Sequence, residues 1–77
     1  MKKNIYKEIS KVLNIKTSLL KDETGPGDLP EWDSLGHQNL ILALEQKFKL
    51  KFNIDEVLEM ESVGEIIEII EEKIKVI

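Results

Sequence analysis

The sequence predicts an all-α fold, a four-helix bundle with a short third helix and a long loop between helices one and two. Three observations predict it. Apolar residues recur at helical spacing in three long segments, and period-two alternation, the mark of half-buried strands, competes nowhere. The widest gap between those segments is rich in glycine and proline, which exclude regular helix. At 77 residues the chain is expected to form one domain over 1–77. A chain near this size buries only about 60% of the surface it exposes unfolded, which leaves little room for a deep catalytic cleft.

The first helix is expected over roughly 2–14, where Ile5, Ile9, Val12 and Leu13 make one stripe and the lysines lie mostly off it. The connection KTSLLKDETGPGDLPEWD follows, with Gly25, Pro26, Gly27 and Pro30 through its middle. Loops this long are usually functional or wrapped over the core, and Leu19, Leu20 and Leu29 are the residues expected to pin it down. Helical spacing resumes from about Ser34 to Lys49, with His37, Leu40, Ile41, Leu44 and Phe48 on one broad stripe. Leu35 and Leu42 fall on a neighbouring face with Gln38 between them. The segment KLKF at 49–52 is too short and too charged for a strand. Asn53 or Asp55 can cap a short helix over 55–60, with Val57 and Leu58 inward. Ser62 and Glu65 have the spacing of a capping box, in which the serine accepts from a backbone N–H and the glutamate reaches back. Ile66, Ile67, Ile69, Ile70, Ile74 and Ile77 then supply the apolar face of the last helix.

Composition narrows the function classes. Apolar residues make up 42% and charged residues 34%, proportions of a folded globular chain, and there is no cysteine. Without cysteine and with one histidine, neither disulfides nor a structural zinc site is expected. No run of about 18 apolar residues is present to span a bilayer, so no membrane association is expected. The start, MKKNIYKEIS, has no continuous apolar segment or small-residue cleavage site, so it reads as a mature helix and the expected location is cytoplasmic. The net charge of −4 is unevenly spread. Residues 1–21 hold six lysines and one acid, whereas residues 52–72 hold eight acids and no lysine or arginine. An acidic surface repels phosphate backbones, which argues against nucleic acid and favours cationic partner proteins.

The stretch EWDSLGH, 31–37, carries the functional question. Serine and aspartate are favoured helix N-caps, so Ser34 can be only a cap; the other reading is a hydroxyl held exposed for attachment. Ser34 and His37 lie three apart and could meet on one helix face. A nucleophilic pair needs a third group orienting the histidine and preorganised oxyanion donors, and no G-x-S-x-G elbow is present. No catalytic residue is therefore assigned, and His37 is expected at the edge of the core. Counted from Asp22, Gly27 and Asp33 fall at places six and twelve of a calcium loop. Thr24 and Pro26 at places three and five leave too few carboxylates, so no metal is expected.

Asp33-Ser34-Leu35, opening a helix that runs on to Ala43-Leu44-Glu45, resembles the acyl carrier protein family. Ser62-Val63-Gly64-Glu65-Ile66 is similar to that family's start of its last helix, and the resemblance covers nearly the whole chain. It implies a non-enzymatic carrier with a 4′-phosphopantetheine arm on Ser34, flanked by Asp33 and Leu35. It also implies recognition by a phosphopantetheinyl transferase and by acyl-loading and acyl-processing enzymes, with a monomeric carrier. Leu35, Gln38 and Leu42 would be contacts for those enzymes, and Asp55, Glu56 and Glu59 would steer basic partners. Trp32 is expected to be buried, stapling the start of the helix. One departure stands out. Carriers of fatty-acid synthesis typically follow D-S-L with an acid, whereas Gly36, His37, Gln38 and Asn39 follow here, and Lys47, Lys49 and Lys51 close the helix. This points to a dedicated carrier in a specialised pathway, such as polyketide-like, amino-acyl or modified-sugar biosynthesis. The alternative is an unmodified helical interaction module in which Ser34 only caps.

Overall fold

The helical stripes become four α-helices in a computed structural model that describes residues 2–75. They are α1 (Lys2–Leu13), α2 (Ser34–Phe48), α3 (Ile54–Leu58) and α4 (Val63–Lys75), with no strand among the described residues. Ile77 lies outside them. A single 3-10 turn, Thr17–Leu19, breaks the first connection and was not expected from the sequence. No helix among the described residues is long and apolar enough to cross a membrane.

The core takes Ile5, Ile9 and Leu13 from α1, Leu40 and Leu44 from α2, and Val63, Ile66, Ile67 and Ile70 from α4. Leu20, Trp32 and Met60 complete it from the connections. Val12, Ile41, Phe48, Ile69 and Ile74 pack against this cluster while keeping partial exposure. Two expected anchors face water instead. Leu19 is exposed within the 3-10 turn while Leu20 is buried, because only one of two adjacent residues there can face the core. Leu58 is exposed while Val57 is half-buried, since α3 is five residues long and presents only one side inward.

Helix ends are where sequence and structure part. Asn53, not Asp55, caps α3, and the complete capping box is here. Asn53 Oδ1 accepts from the Glu56 N–H at 2.8 Å, and Glu56 Oε1 accepts from the Asn53 N–H at 2.9 Å. At α4, Ser62 Oγ accepts from the Glu65 N–H at 3.2 Å, but the described bonds include no return from the glutamate. Both α1 and α2 end on left-handed residues other than glycine, Asn14 (φ 56°) and Lys49 (φ 55°). Each is followed by a bond that reaches back five residues, from Ile15 N–H to the Ser10 carbonyl and from Leu50 N–H to the Glu45 carbonyl. Glu45 also accepts from the Phe52 N–H at 2.9 Å, which folds the α2–α3 connection back on α2.

The long connection is tied across the bundle. The Val63 N–H donates to the Thr24 carbonyl and the Gly64 N–H to the Asp22 carbonyl, both at 2.8 Å. Asp22 in turn accepts from the Tyr6 hydroxyl at 2.6 Å and from Lys2 at 2.9 Å. Burial, then this hydrogen bond, pushes the Tyr6 hydroxyl up to about 12. Gly25 makes the closest approach: a Cβ there would lie 2.0 Å from the Glu61 carbonyl oxygen.

Candidate functional site

The site is the first turn of α2 and the loop leading into it. Asp33 is the N-cap: its Oδ1 accepts from the Gly36 N–H at 2.8 Å, and its carbonyl accepts from the His37 N–H at 2.8 Å. Ser34 is therefore not the cap but the first helical residue, a correction to the capping reading of this serine. Its side chain is exposed and makes no hydrogen bond among the described residues. Asp33 satisfies the Gly36 amide, which leaves the N–H groups of Ser34 and Leu35 at the helix end without intrahelical partners. A partial positive charge accompanies them.

Gly36 has a packing reason. A Cβ on it would lie 2.4 Å from the Glu31 carbonyl oxygen and 3.2 Å from a Leu13 methyl. The loop backbone and the end of α1 both press on this turn, so the glycine serves the packing of the fold.

Trp32, one residue before the cap, is fully buried, as its place before the helix predicts. Its indole N–H donates to His37 Nδ1 at 3.0 Å, and the two rings stack with centroids 6.2 Å apart. The pair staples the helix start in the expected positions, with an aromatic–imidazole contact in place of two apolar chains. Burial holds the His37 imidazole below its ordinary 6.5. Because an indole N–H can only donate, Nδ1 accepts and the proton of the neutral ring sits on Nε2. That is the wrong tautomer for a serine hydrolase, where Nε2 must take the serine proton and Nδ1–H must be oriented by an acceptor.

Ser34 stands on the wall of an open groove of about 730 Å³, together with Asp33, Leu35, Gln38, His37, Trp32, Pro26 and Gly27. The sequence brought forward Asp33, Ser34, Leu35 and Gln38; it missed Pro26 and Gly27 as groove walls. The Gly27 N–H donates to the Trp32 carbonyl at 2.8 Å, and this turn, invisible without the fold, brings them there. Leu42 lies apart, in a second groove of about 260 Å³ with Glu45, Gln46, Lys49, Leu50 and Lys51. Leu35 and Leu42 are 66% and 58% exposed, and Ile54 and Leu58 on α3, which sequence reasoning did not offer as exposed apolar residues, are 78% and 71% exposed. Asp55 and Glu59 are exposed on α3 and at its end. Glu56 is turned inward. The Asn53 N–H, then Lys73 at 2.9 Å, holds its carboxyl below the usual range.

The three loop aspartates are committed to the fold: Asp22 to Tyr6 and Lys2, Asp28 to the Gly25 N–H at 2.8 Å, and Asp33 to the cap. No group of three or more metal-ligating side chains occurs among the described residues.

No family model matches the chain, and none of the curated proteins does. Among solved structures it is similar to the solution structure of a holo acyl carrier protein from Geobacter metallireducens, with 30% identity and a TM-score of 0.86. The match covers 96% of this chain and 85% of that one.

Proposed function

Since the chain belongs to the acyl carrier protein family, we propose that it carries acyl or related groups as thioesters on a 4′-phosphopantetheine arm attached to Ser34. The observation that carries this reading is the division of labour at the start of α2. Asp33 makes the capping bond, and the Ser34 hydroxyl next to it is exposed and uncommitted. The residues present fit the group. A phosphodiester on Ser34 would sit at a helix N-terminus whose first two amides lack intrahelical partners and whose dipole favours an anion. The groove beside Ser34 gives the first atoms of an arm a surface to lie on.

Attachment forms the Oγ–phosphorus bond and breaks the pyrophosphate link of coenzyme A. Adenosine 3′,5′-bisphosphate leaves, and the serine proton passes to the transferase. The carrier itself performs no chemistry. Leu35, Gln38 and Leu42 form the enzyme-contacting strip beside the arm, with Asp55, Glu56 and Glu59 as the acidic flank that draws basic partners. Among these Glu56 contributes least, because Lys73 already neutralises it. The pathway is specialised, not housekeeping fatty-acid synthesis: Gly36-His37-Gln38-Asn39 stand where an acid is typical, and three lysines close α2 and its end. The carrier acts as one domain over 1–77, as a monomer in the cytoplasm.

The test is incubation with coenzyme A, magnesium and a broad-specificity phosphopantetheinyl transferase, read by intact mass. The wild-type protein gains one arm and Ser34→Ala gains none. A wild-type protein that stays unmodified leaves only the unmodified interaction module.

A further inference from the structure

His37 has a second ring nitrogen that the fold does not use. Nδ1 is taken by the indole N–H of buried Trp32, so Nε2 bears the proton of the neutral ring. Nε2 makes no hydrogen bond among the described residues. Every buried side-chain nitrogen and oxygen among them has a partner, so the unpaired Nε2 is not buried and keeps access to solvent. His37 borders two open grooves, the one that holds Ser34 and a second, of about 460 Å³, walled by Pro26, Val57, Leu58, Met60 and Glu61. Ser34 lies one helical turn before His37, where side chains three apart are neighbours on the helix surface.

We propose that His37 is a positioning residue for the arm: its Nε2–H, fixed in that tautomer by Trp32, donates to a phosphodiester oxygen on Ser34. The contact turns the arm toward the wall shared by the two grooves, at the boundary between α2 and α3. Trp32 acts through His37 and does not touch the arm. A valine in place of His37 has no donor and would leave the phosphate to the helix amides alone. The titratable groups bordering His37 from the neighbouring segments are Asp33, in the first groove, and Glu61, in the second.

The inference rests on the carrier reading, and the experiment separates the two. The apo protein and the enzymatically loaded protein, checked by mass, are compared by phosphorus NMR and by long-range proton–nitrogen NMR of the imidazole between pH 4 and 8. A phosphodiester does not itself titrate in this range, so a pH-dependent phosphorus shift reports a neighbouring group. The expected result is the Nε2–H tautomer in both forms, and a His37 midpoint raised by about one unit on loading, because an adjacent anion favours the imidazolium. The phosphorus line should move with that midpoint. His37→Phe should abolish the movement. His37→Gln should restore the neutral-pH phosphorus shift without the titration, because its carbonyl can accept from Trp32 while its amide donates outward. Equal midpoints in the apo and loaded forms, or a phosphorus line that His37→Phe leaves unchanged, overturns the role of His37 while the carrier reading stands. Failure of the protein to gain the arm overturns both.

Discussion

Two adjacent side chains at the start of α2 have opposite tasks, and substitution separates them. Asp33 satisfies the Gly36 amide at 2.8 Å, and replacing such a cap by alanine costs about 1 kcal/mol. The Ser34 side chain makes no hydrogen bond among the described residues, and alanine is a good residue inside a helix. Asp33→Ala is therefore expected to lower stability by about 1 kcal/mol, and Ser34→Ala to change it by less than about 0.5 kcal/mol. Urea unfolding midpoints of the two variants check this, and equal losses would return the capping role to Ser34. His37 gives a pH dependence at the same scale. The unfolded imidazole takes its proton near 6.5, and the folded one only at lower pH, because of burial. Protonation would also set a second N–H against the Trp32 indole. Between those two midpoints the unfolded chain binds more protons, so the stability contributed by neutral His37 is complete above pH 6.5 and is lost as pH falls through the folded midpoint. Unfolding measured from pH 7.5 downward should show this slope in the wild type and not in His37→Phe. The shifted carboxylates, Asp22 and Glu56, act in the same direction, but only below their ordinary 3.8 and 4.5.

Among the elements, α2 depends on a contact that helix propensity alone would misjudge. Alanine in place of an interior helical glycine normally gains about 1 kcal/mol. At Gly36 the added methyl would lie 2.4 Å from the Glu31 carbonyl oxygen, a clash that the loop into α2 can relieve only by moving. Gly36→Ala is expected to destabilise by about 1–3 kcal/mol, and Gly25→Ala by at least as much, because its methyl would meet Glu61 backbone at 2.0 Å. A thermal melt in which Gly36→Ala is more stable than wild type would contradict this packing. The helices themselves were legible in the sequence, since the spacing of Ile5, Ile9 and Leu13, of Leu40 and Leu44, and of Ile66 and Ile70 marks each buried face directly. The ends were less so. Asp33 and Ser34 are both favoured caps, and the choice between them depends on one backbone turn. Asn14 and Lys49 adopt the left-handed conformation where glycine is the usual signal. Leu19 and Leu58 lie in segments of three and five residues, too short for periodicity to show which side faces inward.

At the scale of the whole molecule, the bundle presents the first turn of α2 at its surface. The radius of gyration, 11.4 Å, is that of a compact chain of this length, about 11.5 Å. The long loop is bonded to α1 through Asp22 and to α4 through Thr24 and Asp22, so the connection into Ser34 is tied to two helices besides α2. Charge is divided between a lysine-rich first quarter and an acidic segment from Asp55 to Glu72. Ser34 lies between them in the sequence, on a helix whose first turn holds no acid. Of the site, the serine, its flanking residues and the exposed strip of α2 could be read from D-S-L and helical spacing. The groove and the Trp32–His37 bond could not, although tryptophan and histidine five apart across an N-cap are a usable signal once the cap is fixed. The central claim is that Ser34 bears the arm, and the most direct measurement is fragment mass spectrometry of the protein purified from its own host. The account predicts a phosphopantetheine-modified peptide with the mass localised to Ser34, some of it extended by a thioester-bound cargo. A protein recovered from growing cells with Ser34 wholly unmodified, or with the arm on another residue, would contradict it.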